Sequence, residues 1–211
     1  MVTSHEPLQA PTRLASQPTI VGIGPFDDAD HAHLLVTAFA AVRCRYPVQL
    51  VLLGTGVHRV AVLRHVLAQG VGNSVHLIRH SKVRWSDVIA AADIVVPSPT
   101  TEPTTLLDVL ALGRPVVAPA NPATVRMIVP SSVGLVYRPD AASGMADALL
   151  RLLTMPELRH GMGCRATEVT RRYALHRILH QPQSGVHATP SIENPYSGTG
   201  SEARSRVGSR P

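Results

Sequence analysis

Residues 93 to 120 read DIVVPSPTTEPTTLLDVLALGRPVVAPA, and the order of apolar and breaking residues in them decides the fold. Asp93 to Pro97 is a short apolar run ended by proline, and Pro115 to Ala118 is another. Such runs suit strands buried on both faces of a parallel sheet. Between them Leu106, Leu107, Leu110 and Ala111 recur at helical spacing, and Gly113 followed by Pro115 is a helix stop. A strand, a helix and a strand in one short stretch make a right-handed crossover unit. Ligands of such sheets bind beyond the carboxyl ends of the strands, which here means the loop Ser98 to Thr105.

The same alternation extends on both sides. Thr19 to Gly24 is predicted as a strand, His31 to Tyr46 as a helix with Leu34, Leu35, Ala38, Phe39 and Val42 on one face, and Val48 to Gly54 as the second strand. Val57 to Ala68 is predicted helical with Val60, Leu63 and Leu67 facing inward, followed by a third strand from Ser74 to Arg79 and a short helix from Trp85 to Ala92. Beyond the opening stretch come a helix over Ala123 to Ile128 and a strand over Val133 to Tyr137. Met145, Leu149, Leu152 and Leu153 then mark one face of a helix over Gly144 to Leu153. A last, arginine-rich helical stretch runs from Pro156 to about Leu179, interrupted at Gly161 and Gly163. Six strands alternating with helices predict an α/β fold, a single doubly wound parallel sheet.

Residues 1 to 18, with Pro7, Pro11 and Pro18 and no periodicity, read as a flexible leader, residues 19 to 180 as one domain, and residues 181 to 211 as a disordered tail rich in Ser, Gly, Pro and Arg. The first residues show no signal pattern, and no apolar run approaches the roughly 20 residues of a membrane-spanning helix. Cytoplasmic residence is the expectation, with peripheral attachment at the inner membrane surface as its variant.

The 211 residues carry a net charge of +6, and all but one of the 20 basic residues are arginine, scattered along the chain. Aromatic residues make up 3%, too few for the stacking platforms of a nucleic-acid binder, so a solvated basic surface is the reading and no nucleic-acid partner is expected. Cys44 and Cys164 show no pairing pattern and read as small buried or half-buried residues.

Several short patterns bear on chemistry. Gly22-Ile23-Gly24-Pro25 lacks the third glycine of a dinucleotide fingerprint, and Pro25 removes a backbone donor, so it reads as a tight turn. Gly54-Thr55-Gly56 ends a strand and opens a helix, where its amides can approach a phosphate, although a ligand-free turn has the same sequence. There is no P-loop and no Gly-x-Ser-x-Gly elbow, which excludes the common P-loop hydrolases and argues against a serine hydrolase. Glu102 precedes Pro103 at a helix start, where Thr104 and Thr105 can present hydroxyls and amides to an anion. In the bland reading Glu102 meets the helix dipole and Asp108 faces solvent. His160 and Cys164 stand four apart on a helix, and His31 and His33 two apart in a loop, but no further ligands sit at metal-site spacing, so no metal is expected.

In their order these stretches resemble the C-terminal, nucleotide-sugar-binding domain of retaining GT-B glycosyltransferases of the group 1 type. TIVGIGPFDDADHAHLLVTAFAAV is similar to that family's opening strand and helix, and VQLVLLGTG to its second strand and glycine turn. AADIVVPSPTTEP, LLDVLALGRPVVA and VGLVYRPDAASGMADALLRLLTMPELRHGMGCRATEV resemble the segments that follow, covering roughly residues 19 to 174. The resemblance implies a catalytic Glu102 near the donor sugar and Asp108 on the ribose. It assigns Gly24, Gly54, Gly56, Lys82, Thr104 and Thr105 to the donor diphosphate or base, with no metal and no cofactor beyond the nucleotide sugar itself.

Three departures accompany it. The places of the family's diphosphate-binding arginine and lysine hold Pro25 and Asp30, which removes two charge-assisted contacts and adds a repulsion. Seven residues separate the family's paired glutamates, whereas five separate Glu102 from Asp108, and Thr104 or Thr105 replaces the glycine between them. The acceptor-binding half of a GT-B enzyme has no counterpart in these residues, so the resemblance implies an acceptor-domain protein or a homo-oligomer as partner, with Arg159 to Leu179 offering an apolar strip to it. Alternatives of other classes are a non-catalytic, degenerate donor domain serving as partner, regulator or remnant, and an epimerase-like protein of the same architecture.

Overall fold

Every one of the six apolar runs forms a strand: β1 (Thr19–Ile23), β2 (Gln49–Leu53), β3 (Val75–Ile78), β4 (Ile94–Pro97), β5 (Val116–Pro119) and β6 (Gly134–Tyr137). The computed structural model describes residues 17–24, 29–54, 56, 58–78 and 84–180. The expected leader up to residue 16, the tail from 181, and Pro25, Thr55 and Lys82 lie outside the described residues. The chain divides into two units, Met1–Leu179 and His180–Pro211, and the sheet belongs to the first.

All neighbouring strands are parallel, in the order β3-β2-β1-β4-β5-β6. The order reverses between β1 and β4, as in a doubly wound sheet. Successive side chains of each strand face opposite sides. Ile20, Leu50, Leu52, Ile94 and Val96 enter one core, with Phe39, Val62 and Leu149 from the helices. Val21, Val51, Leu53 and Val95 enter the other, with Ile89, Leu110 and Ile128. Burial on both faces is why these strands read as unbroken apolar runs.

Helices α1 (Ala29–Arg43), α2 (Arg59–Ala68) and α6 (Ala142–Thr154) supply the first core, and α3 (Trp85–Ala90), α4 (Pro103–Ala111) and α5 (Pro122–Ile128) the second. Helix α7 (Pro156–His180) gives Met162 to the first and Ala166 to the second. Gly22 lets α1 lie close on β1, since a Cβ there would meet the Leu35 Cδ2 at 2.6 Å. Gly113 ends α4 with φ of +69°, the left-handed conformation that a helix stop favours.

Five expectations are corrected. On α2 it is Val62 and Val66 that are buried, while Val60, Leu63 and Leu67 are exposed. This helix is apolar nearly all round, so periodicity offered two stripes. The hydrogen bond between His65 Nε2 and Thr37 Oγ1 of α1, at 2.9 Å, belongs to the rotation that turns Val62 and Val66 inward. His31 and His33 lie within α1, not in a loop. Helix α7 runs unbroken through Gly161 and Gly163, and Gly163 is there for packing, since a Cβ on it would strike the Gly113 carbonyl. Cys44 and Cys164 are both exposed, neither being on the core side of its segment. Of the strip expected from Arg159 to Leu179, Met162 and Ala166 are buried in the domain's own cores and Tyr173 is exposed.

Candidate functional site

The carboxyl ends of the strands form one rim, and backbone hydrogen bonds fasten the residue after each of β1, β2, β4 and β5 to a neighbouring strand. Gly24 donates its N–H to the Leu53 carbonyl at 3.0 Å, Gly54 to Ile78 at 3.2 Å, Ser98 to Ile23 at 3.0 Å and Ala120 to Tyr137 at 2.7 Å. Gly24 and Ser98 therefore flank the point where strand order reverses, the crevice in which open α/β sheets bind ligands.

Beyond β4 the chain turns at once. Ser98 is buried, and its Oγ meets the Oγ1 atoms of Thr100 at 3.1 Å and Thr101 at 3.2 Å. The Thr101 N–H closes on the Ser98 carbonyl at 3.1 Å. This hydroxyl cluster fixes a tight loop that delivers Glu102 to the N-cap position of α4, with Pro103 in the first turn. A serine and threonines packed between prolines are a turn signal of that kind, and the sequence reading gave no role to Ser98, Thr100 or Thr101.

Glu102 does not cap the helix with its own side chain, and its carboxylate is exposed on the rim. The Leu106 N–H bonds the Glu102 carbonyl at 3.1 Å, so the amides of Thr104 and Thr105 precede the first intrahelical bond and point outward at the positive end of the helix dipole. Thr104 is exposed and Thr105 half-buried. The first turn of α4 thus presents amides and hydroxyls of the kind that bind oxyanions.

Asp108 is also exposed, but at about 100° per residue it lies about 120° round the α4 axis from Glu102. Among the described residues neither carboxylate forms an ion pair or a side-chain hydrogen bond. Gly54 is buried and Gly56 half-buried where the chain leaves β2 for α2. Gly24, Gly54, Glu102, Thr104 and Thr105 therefore share the rim. Asp108 sits further down α4, and Lys82 and Pro25 fall outside the described residues. Asp30 occupies the first turn of α1, where a negative charge suits the helix dipole.

One further residue at the rim carried no sequence expectation. Asn121, after β5, caps α5 by accepting from the amides of Ala123 and Thr124 at 3.0 and 2.9 Å, and Thr124 Oγ1 accepts from the Asn121 N–H at 3.1 Å. Asn-Pro followed by Thr is the sequence signal of such a reciprocal cap. A groove of about 490 Å³ lies at the opposite, amino ends of β4 and β5, lined by Asp93, Arg114, Arg159, His160, Cys164 and Thr167 among others. Among the described residues no cluster of three or more His, Cys, Asp or Glu side chains is placed to hold a metal ion, and no helix is long and apolar enough to cross a membrane.

Residues 17–155 match the model of the family "Glycosyl transferases group 1". No curated protein matches the sequence. Among solved structures, HepE of Anabaena in complex with UDP and glucose superposes with a TM-score of 0.66 at 15% identity, over 79% of this chain and 49% of that one. Sucrose-phosphate synthase of Thermosynechococcus elongatus gives 0.63 at 24% identity, over 78% of this chain and 46% of that one. The C-terminal domain of a group 1 family glycosyl transferase of Francisella tularensis, LpcC, gives 0.62 at 21% identity, over 74% of this chain and 86% of that domain. The chain thus spans about half the length of the first two proteins and most of the isolated C-terminal domain, with the fold of a GT-B C-terminal half.

Proposed function

Since the chain belongs to the glycosyl transferases group 1 family, we propose that it is a donor domain, binding a nucleotide sugar for glycosyl transfer to an acceptor held elsewhere. The observation that carries the reading is the rim at the strand reversal, where Gly24 and Ser98 flank the crevice and the first turn of α4 offers amides beside Glu102. In this reading the amides near Gly54, Gly56, Thr104 and Thr105 receive the diphosphate, and Lys82 serves as its counter-charge. Asp108 accepts from the ribose hydroxyls, and Glu102 stands by the donor sugar as the charge that assists its departure. The reaction is a retaining transfer, and the acceptor comes from a separate domain or a second subunit. The UDP and glucose bound by Anabaena HepE make UDP-glucose the first donor to try.

The test is a thermal-shift series with UDP-, GDP- and ADP-sugars on the full chain. Ligand at about 100 times its dissociation constant raises stability by roughly 2.7 kcal/mol. A rise with one donor class, reduced by Asp108→Asn, is the expected result. No shift with any donor at millimolar concentration would falsify donor binding.

A second reading has its own observation. Glu102 and Asp108 are exposed, lack side-chain partners among the described residues and diverge round α4, and Asp30 stands where the family carries a cation. A degenerate, non-catalytic domain that acts as partner or regulator fits that arrangement. Reconstitution with an acceptor-domain protein separates the two readings, because activity unchanged by Glu102→Ala belongs to the second.

A further inference from the structure

From residue 31 to residue 86 the chain contains neither aspartate nor glutamate. That stretch holds seven of the 20 basic residues and none of the 14 acidic ones, so it carries +7 while the remainder of the chain sums to −1. Its described part builds α1, β2, α2 and β3, the β3 edge of the sheet. Of the seven, Arg43, Arg45, Arg59 and Arg64 stand on or beside α1 and α2, while Arg84 pairs with Asp87 at 3.3 Å.

At the β3 edge lies α2, and its outer surface is apolar. Val60 is 60% exposed, Leu63 39% and Leu67 72%. At about 100° per residue these three and Arg64 fall within about 100° of one another, opposite Val62 and Val66. Arg64 is exposed and Arg59 half-buried on the same helix, and the sequence RVAVLRHVLA contains no acid.

We propose that α2 docks on a lipid bilayer carrying anionic headgroups, with Val60, Leu63 and Leu67 entering the interfacial layer and Arg59 and Arg64 meeting headgroup phosphates. A helix with an aliphatic face bordered by arginines lies in the plane of the interface, and both the buried apolar area and the charge attraction contribute. Charge complementarity selects this occupant over a second copy. A two-fold pairing of the face sets Arg64 against Arg64 with no acid on α2 to offset the repulsion. A nucleic acid is disfavoured because the face is aliphatic and offers no ring for stacking.

The experiment is co-sedimentation of the full chain with vesicles of phosphatidylcholine alone and of phosphatidylcholine mixed with phosphatidylglycerol. Binding to the mixed vesicles, weak or absent on phosphatidylcholine and weakened by salt, is the expected result. Arg64→Gln lowers the partition coefficient about five-fold, the equivalent of roughly 1 kcal/mol per arginine at such a surface. Val60→Ser with Leu67→Ser lowers it about ten-fold or more, while circular dichroism and the melting temperature stay near those of the parent. No binding to the mixed vesicles overturns the proposal, as does binding that neither variant changes. A concentration-dependent dimer abolished by the serine pair, without vesicle binding, assigns the face to self-association instead.

Discussion

Arg159, in the first turns of α7, reaches the carboxylate of Asp93 at the foot of β4, with Nη2 at 3.3 Å from Oδ1. The other oxygen of that carboxylate accepts the backbone N–H of Thr19 at 2.9 Å, at the start of β1. One side chain thus ties two adjacent strands to the last helix. Both partners are largely shielded, at 20% and 31% side-chain exposure, so the pair is worth more than an ion pair on open surface. Asp93→Asn or Arg159→Ala is expected to cost about 1–2 kcal/mol. At about 2–4 °C per kcal/mol for a chain of this size, calorimetry resolves the loss, and the double variant should lose less than the two single losses combined.

Gly161 and Gly163 make opposite predictions although both sit inside α7. A Cβ on Gly163 would strike the Gly113 carbonyl, whereas one on Gly161 would meet only the guanidinium of Arg165, at 3.4 Å. Gly163→Ala should therefore destabilise by about 1–3 kcal/mol, because backbone must move to admit it. Gly161→Ala should be neutral or stabilising by up to about 1 kcal/mol through helix propensity. Equal effects in a urea titration would refute the backbone contact between α4 and α7.

At the rim, binding and catalysis should separate from stability. Glu102 is exposed and makes no capping hydrogen bond, so Glu102→Gln should change folding stability by less than about 0.5 kcal/mol. Asp108→Asn should likewise fold normally, yet weaken nucleotide binding about ten-fold or more if its carboxylate accepts from a ribose. Isothermal titration of both variants with the preferred donor checks this, and an unchanged affinity for Asp108→Asn would remove the ribose role.

The contact between α1 and α2 should respond to acid. The His33 and His65 rings lie with centroids 4.6 Å apart, and burial, followed by the charge of His33, holds the His65 imidazole below its usual 6.5. An unfolded chain takes up the His65 proton near pH 6.5 while the folded chain still resists it. The stabilisation is present above that pH and is lost as pH falls through 6.5 toward the lowered folded value. His65→Gln, which can keep a hydrogen bond to Thr37, should flatten the fall in melting temperature between pH 7.5 and 5. An identical slope in parent and variant would dismiss His65 as its source.

The strands were legible because the sheet buries both faces, which turns runs such as IVVP and VVAP into unmistakable cores. Family motifs in order were legible for a related reason, since the glycine and proline stops are required by the backbone. The rotation of α2 was not, because RVAVLRHVLA offers two apolar stripes and the choice belongs to contacts with α1, such as that with Thr37, 28 residues before His65 in the chain. The continuity of α7 was hidden as well. Glycine breaks helices by local propensity, and only the tertiary approach of Gly113 explains Gly163. Of the candidate rim, the helix start at Glu102-Pro103 and the glycine turns could be read from sequence. The hydroxyl cluster of Ser98, Thr100 and Thr101 depends on how a loop folds back on itself.

The rim hydrogen bonds of Gly24, Gly54 and Ser98 have an engineering corollary. Each loop departs from a post already bolted to the adjacent strand, so its length is decoupled from the register of the sheet. The two residues by which the Glu102 to Asp108 interval falls short can be inserted between Glu102 and Pro103, ahead of α4, with the six strands acting as an unaltered chassis. Such a chain allows the acid spacing to be varied as an independent parameter, one residue at a time, against donor affinity.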